Sequence, residues 1–125
     1  MKVIPSLKYC KEHTWVKVDG EYAYIGITDY AQDQLGEILF VEMPEVEDEL
    51  TKGSDFGVVE SSKVASDLIA PISGEVVQIN EDLEDEPEAI NEDAYEAWII
   101  KIKMSDPEEL DSLINSDGYE ASIEE

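Results

Sequence analysis

Apolar and polar residues alternate over short runs along most of this chain, and turn residues break the runs at close intervals. Trp15–Val18 and Tyr22–Ile27 are rich in aromatic and β-branched side chains. Asp19-Gly20 between them predicts a type I′ turn, so the two runs read as a hairpin. Thr28 is placed to cap a short helix reaching Gly36, with Ala31 and Leu35 on one face and the glycine ending it. Glu37–Met43 reads as a strand stopped by Pro44, and Glu45–Glu49 as an acidic loop or edge. Lys52-Gly53 turns the chain into a second hairpin, whose strands are Phe56–Val59 and Leu68–Ile72. Ser73-Gly74 predicts another turn, and Glu75–Asn80 alternates as a strand. Asn80–Asp93 is dense in carboxylates and reads as a solvated loop, and Ala97–Met104 is the last strand. Ser105 with Glu108 predicts a capping box, with Pro107 in the first turn. Leu110, Leu113 and Ile114 then supply the apolar stripe of a closing helix that Gly118 ends, ahead of a short acidic tail. Many short strands with helices confined to the middle and the end predict a mostly β sandwich or barrel.

At 125 residues the chain fits one domain, residues 1–125, long enough to fold without staples. Charge changes the picture more than size does. Thirty-two carboxylates face eight lysines, giving a formal net charge of -24. Such a surface repels phosphate backbones and anionic membranes, which excludes nucleic-acid binding and lipid docking. It favours solubility and steering toward partners with basic faces. Cys10 is the lone cysteine, so no internal disulfide forms, and a buried or half-buried free thiol is expected. The first residues lack the apolar core of a signal peptide, and no run is long enough to span a bilayer. An intracellular, reducing compartment is the expectation.

Lys63 is the one positive residue between Gly53 and Ile100, and it lies at the centre of the second hairpin's turn. Lysines also blunt sheet edges and keep turns wet, so the position alone says little. Its setting says more. Ser61, Ser62, Ala65 and Ser66 are small, so the turn can enter the cleft of a modifying enzyme. Glu60 and Asp67 flank it as recognition points or as ordinary strand-end charges. A lone amine held out on a narrow turn suits a carrier whose chemistry is added after synthesis. No Ser-His-Asp or Cys-His set, phosphate-cradling glycine loop or dinucleotide fingerprint is present. His13 has no Cys or His nearby to complete a metal site, and a structural, hydrogen-bonded role is expected. The carboxylates of Glu81–Glu88 lack the spacing of a calcium loop.

The run Val59-Glu60-Ser61-Ser62-Lys63, with Ser66-Asp67 and then Pro71-Ile72-Ser73-Gly74-Glu75-Val76, resembles the lipoylation site of the H protein of the glycine cleavage system. Gly26 to Gly36, Phe40-Val41-Glu42-Met43-Pro44, Trp98 to Lys103 and Ser105 to Leu110 are similar to further blocks of that family, in the same order. The likeness runs from about Leu7 to Tyr119. It implies a mostly β barrel-sandwich hybrid of the hammerhead, lipoyl/biotinyl-carrier kind. A short helix near 28–36, a C-terminal helix near 106–115 and a lipoyl-binding core at about 22–104 belong to that expectation.

The resemblance also implies a role. Lys63 is expected to carry lipoic acid as N6-lipoyllysine, attached by a lipoate ligase or a lipoyl/octanoyl transferase, in a protein with no catalytic residues of its own. The lipoyl arm would take an aminomethyl group from glycine decarboxylase (the P protein) to the tetrahydrofolate-dependent aminomethyltransferase (the T protein). Dihydrolipoyl dehydrogenase (the L protein) would reoxidise it. Members of the family also fold the loaded arm into a surface cleft. A monomer is expected, in the cytoplasm of a prokaryote or the mitochondrial matrix for a mature eukaryotic chain. Two places depart from the family, one near the N-terminus and one in the turn around the lysine. Thr14 stands in His13-Thr14-Trp15 where the family has glutamate, with Glu12 just before His13, and Ser62 and Val64 flank the lysine. The first departure leaves open an H-like carrier for sulfur oxidation or lipoyl relay. A biotin carrier, which usually brackets its lysine with methionines, and an unmodified β domain are the remaining alternatives.

Overall fold

The computed structural model describes residues 3–123, built on two antiparallel sheets that share a core. Strands β1 (Lys8–Tyr9), β2 (Thr14–Asp19) and β3 (Tyr22–Ile27) open the chain, followed by α1 (Asp29–Leu35) and β4 (Ile38–Glu42). Next come β5 (Glu49–Leu50), β6 (Asp55–Ser61), β7 (Ala65–Ile69) and β8 (Gly74–Ile79). The short helices α2 (Asp82–Asp85) and α3 (Ala89–Glu92) lead to β9 (Ile100–Met104), a 3-10 helix (Pro107–Ser112) and α4 (Ser116–Ile123). The larger sheet runs β1-β2-β3-β9-β8-β5 and the smaller β4-β6-β7. The sheets pack as layers and do not close into a barrel, which is where the expected barrel-sandwich form is realised as a sandwich.

Burial follows the alternation. Ile25, Ile100, Ile102 and Val76 of the larger sheet meet Val41, Val59 and Leu68 of the smaller in one core. Successive residues on a strand point to opposite faces. Val16 therefore joins that core while Trp15 turns to a second cluster with Leu7, Tyr9 and Tyr119. The close packing behind Trp15 needs a glycine opposite it. Trp15 pairs with Gly26, where an added Cβ would lie 2.7 Å from the indole.

Four local expectations need correction. The first hairpin turns on Gly20-Glu21, with Asp19 paired to Tyr22. Gly20 has φ 64° and Glu21 is not among the described residues with positive φ, the pattern of a type II′ turn rather than I′. Gly74 begins β8 instead of forming a turn, since its bare Cα lets the Lys103 carbonyl approach to 2.4 Å of where a Cβ would sit. The acidic stretch after Asn80 is no solvated loop: it holds α2 and α3, which bury Leu83 and Ile90 in the main core.

The closing segment divides differently as well. Asp106 precedes a proline and is held out of helical geometry, at φ -144°, so it becomes the cap and accepts from Glu108 N–H. The segment expected to be a helix near 106–115 is the 3-10 turn of Pro107–Ser112, and Glu109 takes the Ser73 N–H and hydroxyl at 2.6 and 2.9 Å. Gly118 lies in the first turn of α4, where Asn115 Oδ1 accepts its N–H at 2.8 Å. Burying Tyr119 outweighs the glycine's weak helix preference. The end of the acidic tail, residues 124–125, lies outside the described residues.

Candidate functional site

Strands β6 and β7 pair from Asp55↔Ile69 to Glu60↔Ala65, which leaves Ser62, Lys63 and Val64 as the exposed tip of their hairpin. Ser61 builds the tip. Its N–H donates to Val64 O at 2.8 Å, and its Oγ accepts the N–H groups of Lys63 and Val64 at 3.2 Å. Ser61, two residues before the lysine, is thus a structural part of the turn as well as a slender one.

The tip leans on the loop between α1 and β4. Ser62 N–H donates to Glu37 O at 3.1 Å. The stem of Lys63 passes over Gly36, where a Cβ would come within 3.4 Å of Lys63 Cε. Gly36 also ends α1, at φ 80°, a conformation that favours glycine in its own right. Beneath this loop Asn91 binds three groups at once. It accepts from Ile38 N–H at 2.8 Å and donates to Gly36 O at 2.8 Å and Gln32 Oε1 at 2.9 Å. Sequence reasoning missed Asn91, because carboxylates on either side hide it in what looks like featureless acidic chain.

One wall of a cleft of about 280 Å³ is the hairpin itself, through Val59, Ser66, Asp67 and Leu68. Helix α1 supplies Tyr30, Ala31 and Leu35, and Glu12, His13 and Thr14 form the far side. The floor is apolar and the rim carries two carboxylates, Glu12 and Asp67. Thr14 Oγ1 is buried without a partner at hydrogen-bonding geometry; its polar neighbour is the weakly donating thiol of Cys10. That thiol, half-buried as expected, donates to Glu12 Oε2 at 2.7 Å, and burial with the Glu12 contact pushes its pKa up.

His13 takes the structural role expected of it. It sits at φ 69° and its Nδ1 lies 2.8 Å from the Tyr119 hydroxyl, which lies 2.6 Å from Thr28 Oγ1. Thr28 in turn caps α1 by accepting Ala31 N–H. Burial lowers the His13 pKa and pushes that of Tyr119 up to about 12, so a neutral ring faces a protonated phenol. The Tyr119 ring stacks on Tyr9 at 4.7 Å. The trio joins residues 13, 28 and 119; only His13 and the Thr28 cap were apparent in the sequence.

A lipoyl arm fits these features. Lys63 is exposed, its hairpin lines the cleft, and an apolar floor with an acidic rim suits an aliphatic chain ending in an amine. Comparison with known proteins gives the same family throughout. The profile of the glycine cleavage H-protein matches residues 7–125. The glycine cleavage system H protein of Clostridioides difficile (strain 630) is 70% identical over 125 residues, covering 99% of this chain and 100% of that one. That of Staphylococcus haemolyticus (strain JCSC1435) is 55% identical over the full length of both. The crystal structure of a glycine cleavage system H protein from Mycobacterium marinum superposes with a TM-score of 0.89. It is 30% identical, and the match covers 98% of this chain and 100% of that one. The chain belongs to the glycine cleavage H-protein family, and its role is that family's, a non-catalytic lipoyl carrier.

Proposed function

We propose that Lys63 bears the lipoyl group, through an amide at Nζ, and that the cleft beside it receives the loaded arm. The observation that carries this reading is the lysine's place at the exposed tip of a hairpin whose own strands wall the cleft. When bound, the group supplies a disulfide that can be opened, loaded with an aminomethyl group and closed again. The protein's part is to hold and to release. Acylation removes the lysine's charge; Ile27, Leu35 and Leu68 offer the arm apolar cover, and Glu12 and Asp67 face an ammonium at its end. Glu12 on the rim offsets the glutamate that Thr14 replaces. A charge-assisted hydrogen bond of this kind contributes about 1.5–3 kcal/mol.

On this reading the partners are the P, T and L proteins of glycine cleavage, together with the ligase or transferase that acylates Lys63. Residues 22–104 form the lipoyl-binding core of a one-domain monomer, and we assign it to the cytoplasm. The relatives are bacterial, and no helix among the described residues is long and apolar enough to cross a membrane. Tethering serves transfer because a short flexible link keeps the reactive end at roughly millimolar effective concentration near a docked site.

The test uses purified unmodified protein with lipoate, ATP and a lipoate ligase. The wild type should gain the mass of one lipoyl group, and Lys63→Arg should gain none, a guanidinium being a poor acyl acceptor. The lipoylated wild type should then support carbon dioxide exchange by glycine decarboxylase. Acylation of the arginine variant would overturn the assignment of Lys63. A lipoylated protein that supports no exchange would move the carrier to sulfur oxidation or lipoyl relay, the reading that Thr14 leaves open.

A further inference from the structure

Leu39, Phe40 and Val64 are 54%, 49% and 51% exposed, and all three lie at the lysine end of the smaller sheet. Val64 follows Lys63 in the hairpin tip. Phe40 pairs with Glu60, which pairs with Ala65, so the phenyl ring shares a face with the strand ends on either side of the tip. Leu39 is the extra residue of the bulge between Ile38 and Phe40. Strand β4 is an edge of its sheet. Scattered apolar residues on a surface mean little, but an adjoining Leu-Phe pair on an open edge invites unwanted pairing unless something covers it. The exposed carboxylates of Glu37, Glu42 and Glu60 surround the group.

Reach decides what covers it. Enzymes acting on the far end of a lipoyl arm can work at the arm's length from the lysine. The enzyme that forms the amide cannot: it must bring an activated acyl carbon to about 3–3.5 Å from the lysine nitrogen. In that step the nitrogen bonds to the acyl carbon of an acyl adenylate, the bond from that carbon to the phosphate oxygen breaks, AMP leaves and the nitrogen's proton passes to solvent. Such an enzyme has to cover Val64 and its neighbours whenever it acts.

We infer that Leu39, Phe40 and Val64 form the apolar centre of the docking face for the enzyme that acylates Lys63. The matching surface is an apolar recess ringed by lysine or arginine, which complements the carboxylates around the patch and the net charge of -24. Apolar contact at the middle of a polar rim is the usual anatomy of a binding centre. The inference rests on Lys63 being the acylated residue.

The experiment measures kcat/KM for acylation of the unmodified protein by a lipoate ligase, with lipoate and ATP. Phe40→Ser should lower it about tenfold, and Leu39→Ser and Val64→Ser about threefold or more, in the range of interface truncations. Val18→Ser, 44% exposed on β2, should match the wild type. All four sites are exposed, so unchanged thermal melting should accompany each variant. Variants driven to full lipoylation by long incubation should support decarboxylase exchange at the wild-type rate. A wild type that takes no lipoyl group would overturn the reading of Lys63 itself. A wild type acylated at the same rate as Phe40→Ser would overturn this inference alone. So would an equal fall with Val18→Ser, an equal fall in decarboxylase exchange, or a wild-type dimer that Phe40→Ser dissolves.

Discussion

The Tyr119 hydroxyl links Thr28 to His13 in one hydrogen-bonded chain. Ala31 N–H donates to the Thr28 hydroxyl, and the Tyr119 hydroxyl lies 2.6 Å from Thr28 Oγ1 and 2.8 Å from His13 Nδ1. Protonating the ring makes both its nitrogens donors and puts a charge in a half-buried place facing Tyr30 and Tyr119, with Glu12 as the nearby charge. Burial holds the His13 pKa below its ordinary 6.5, against a smaller raising effect of Glu12. Below pH 6.5 the unfolded chain therefore binds a proton that the folded one resists. The sign follows: His13's contribution to stability is complete above that pH and is lost as pH falls toward the folded-state pKa. Urea titrations of wild type and His13→Asn should show it, since asparagine tolerates the positive φ and can still bond Tyr119. The wild-type midpoint should drop relative to the variant between pH 7 and pH 5.5. A constant difference across that window would mean that His13 is not held neutral by the fold.

The elements that carry the lysine were readable because their signals are local. The β6–β7 hairpin follows from alternation around small turn residues, and α1 from a threonine cap and a terminal glycine eight residues on, at Thr28 and Gly36. The segment beneath them was not readable. Eight carboxylates from Glu81 to Asp93, with neighbouring Glu96, overwhelm the trace left by Leu83 and Ile90, two turns of helix apart. The cleft and the Tyr119 anchor share that opacity, because their parts lie far apart in the chain and meet only in the fold. Asn91 shows how much the hidden segment matters. With its three bonds it joins α3 to the loop that supports the hairpin tip, so Asn91→Ala should leave Ile38 N–H and Gly36 O without their partner. The expected loss is about 1–3 kcal/mol in chemical denaturation. Amide exchange should rise first at Ile38 and Ser62, since Ser62 N–H rests on the same loop. Loss of stability with no local change at those two amides would contradict the bracing role.

The whole molecule divides its labour between two cores. The shared core of the sheets fixes the hairpin, and the aromatic cluster of Tyr9, Trp15 and Tyr119 fixes the cleft's far side by tying the last helix to the residues around His13. Around both lies a surface whose net charge of -24 favours partners with basic faces and repels phosphate backbones. On the proposed reading nothing in this arrangement needs to react; it presents one amine, shelters what is attached to it and lets the partner enzymes approach in turn. The acylated lysine is the point on which that account depends. Its most direct test is the mass of the protein as isolated from its own cells, with fragmentation to locate any added group. One lipoyl group on the peptide containing Lys63 is the predicted result, and a bare lysine there, or a lipoyl group on another residue, would contradict it.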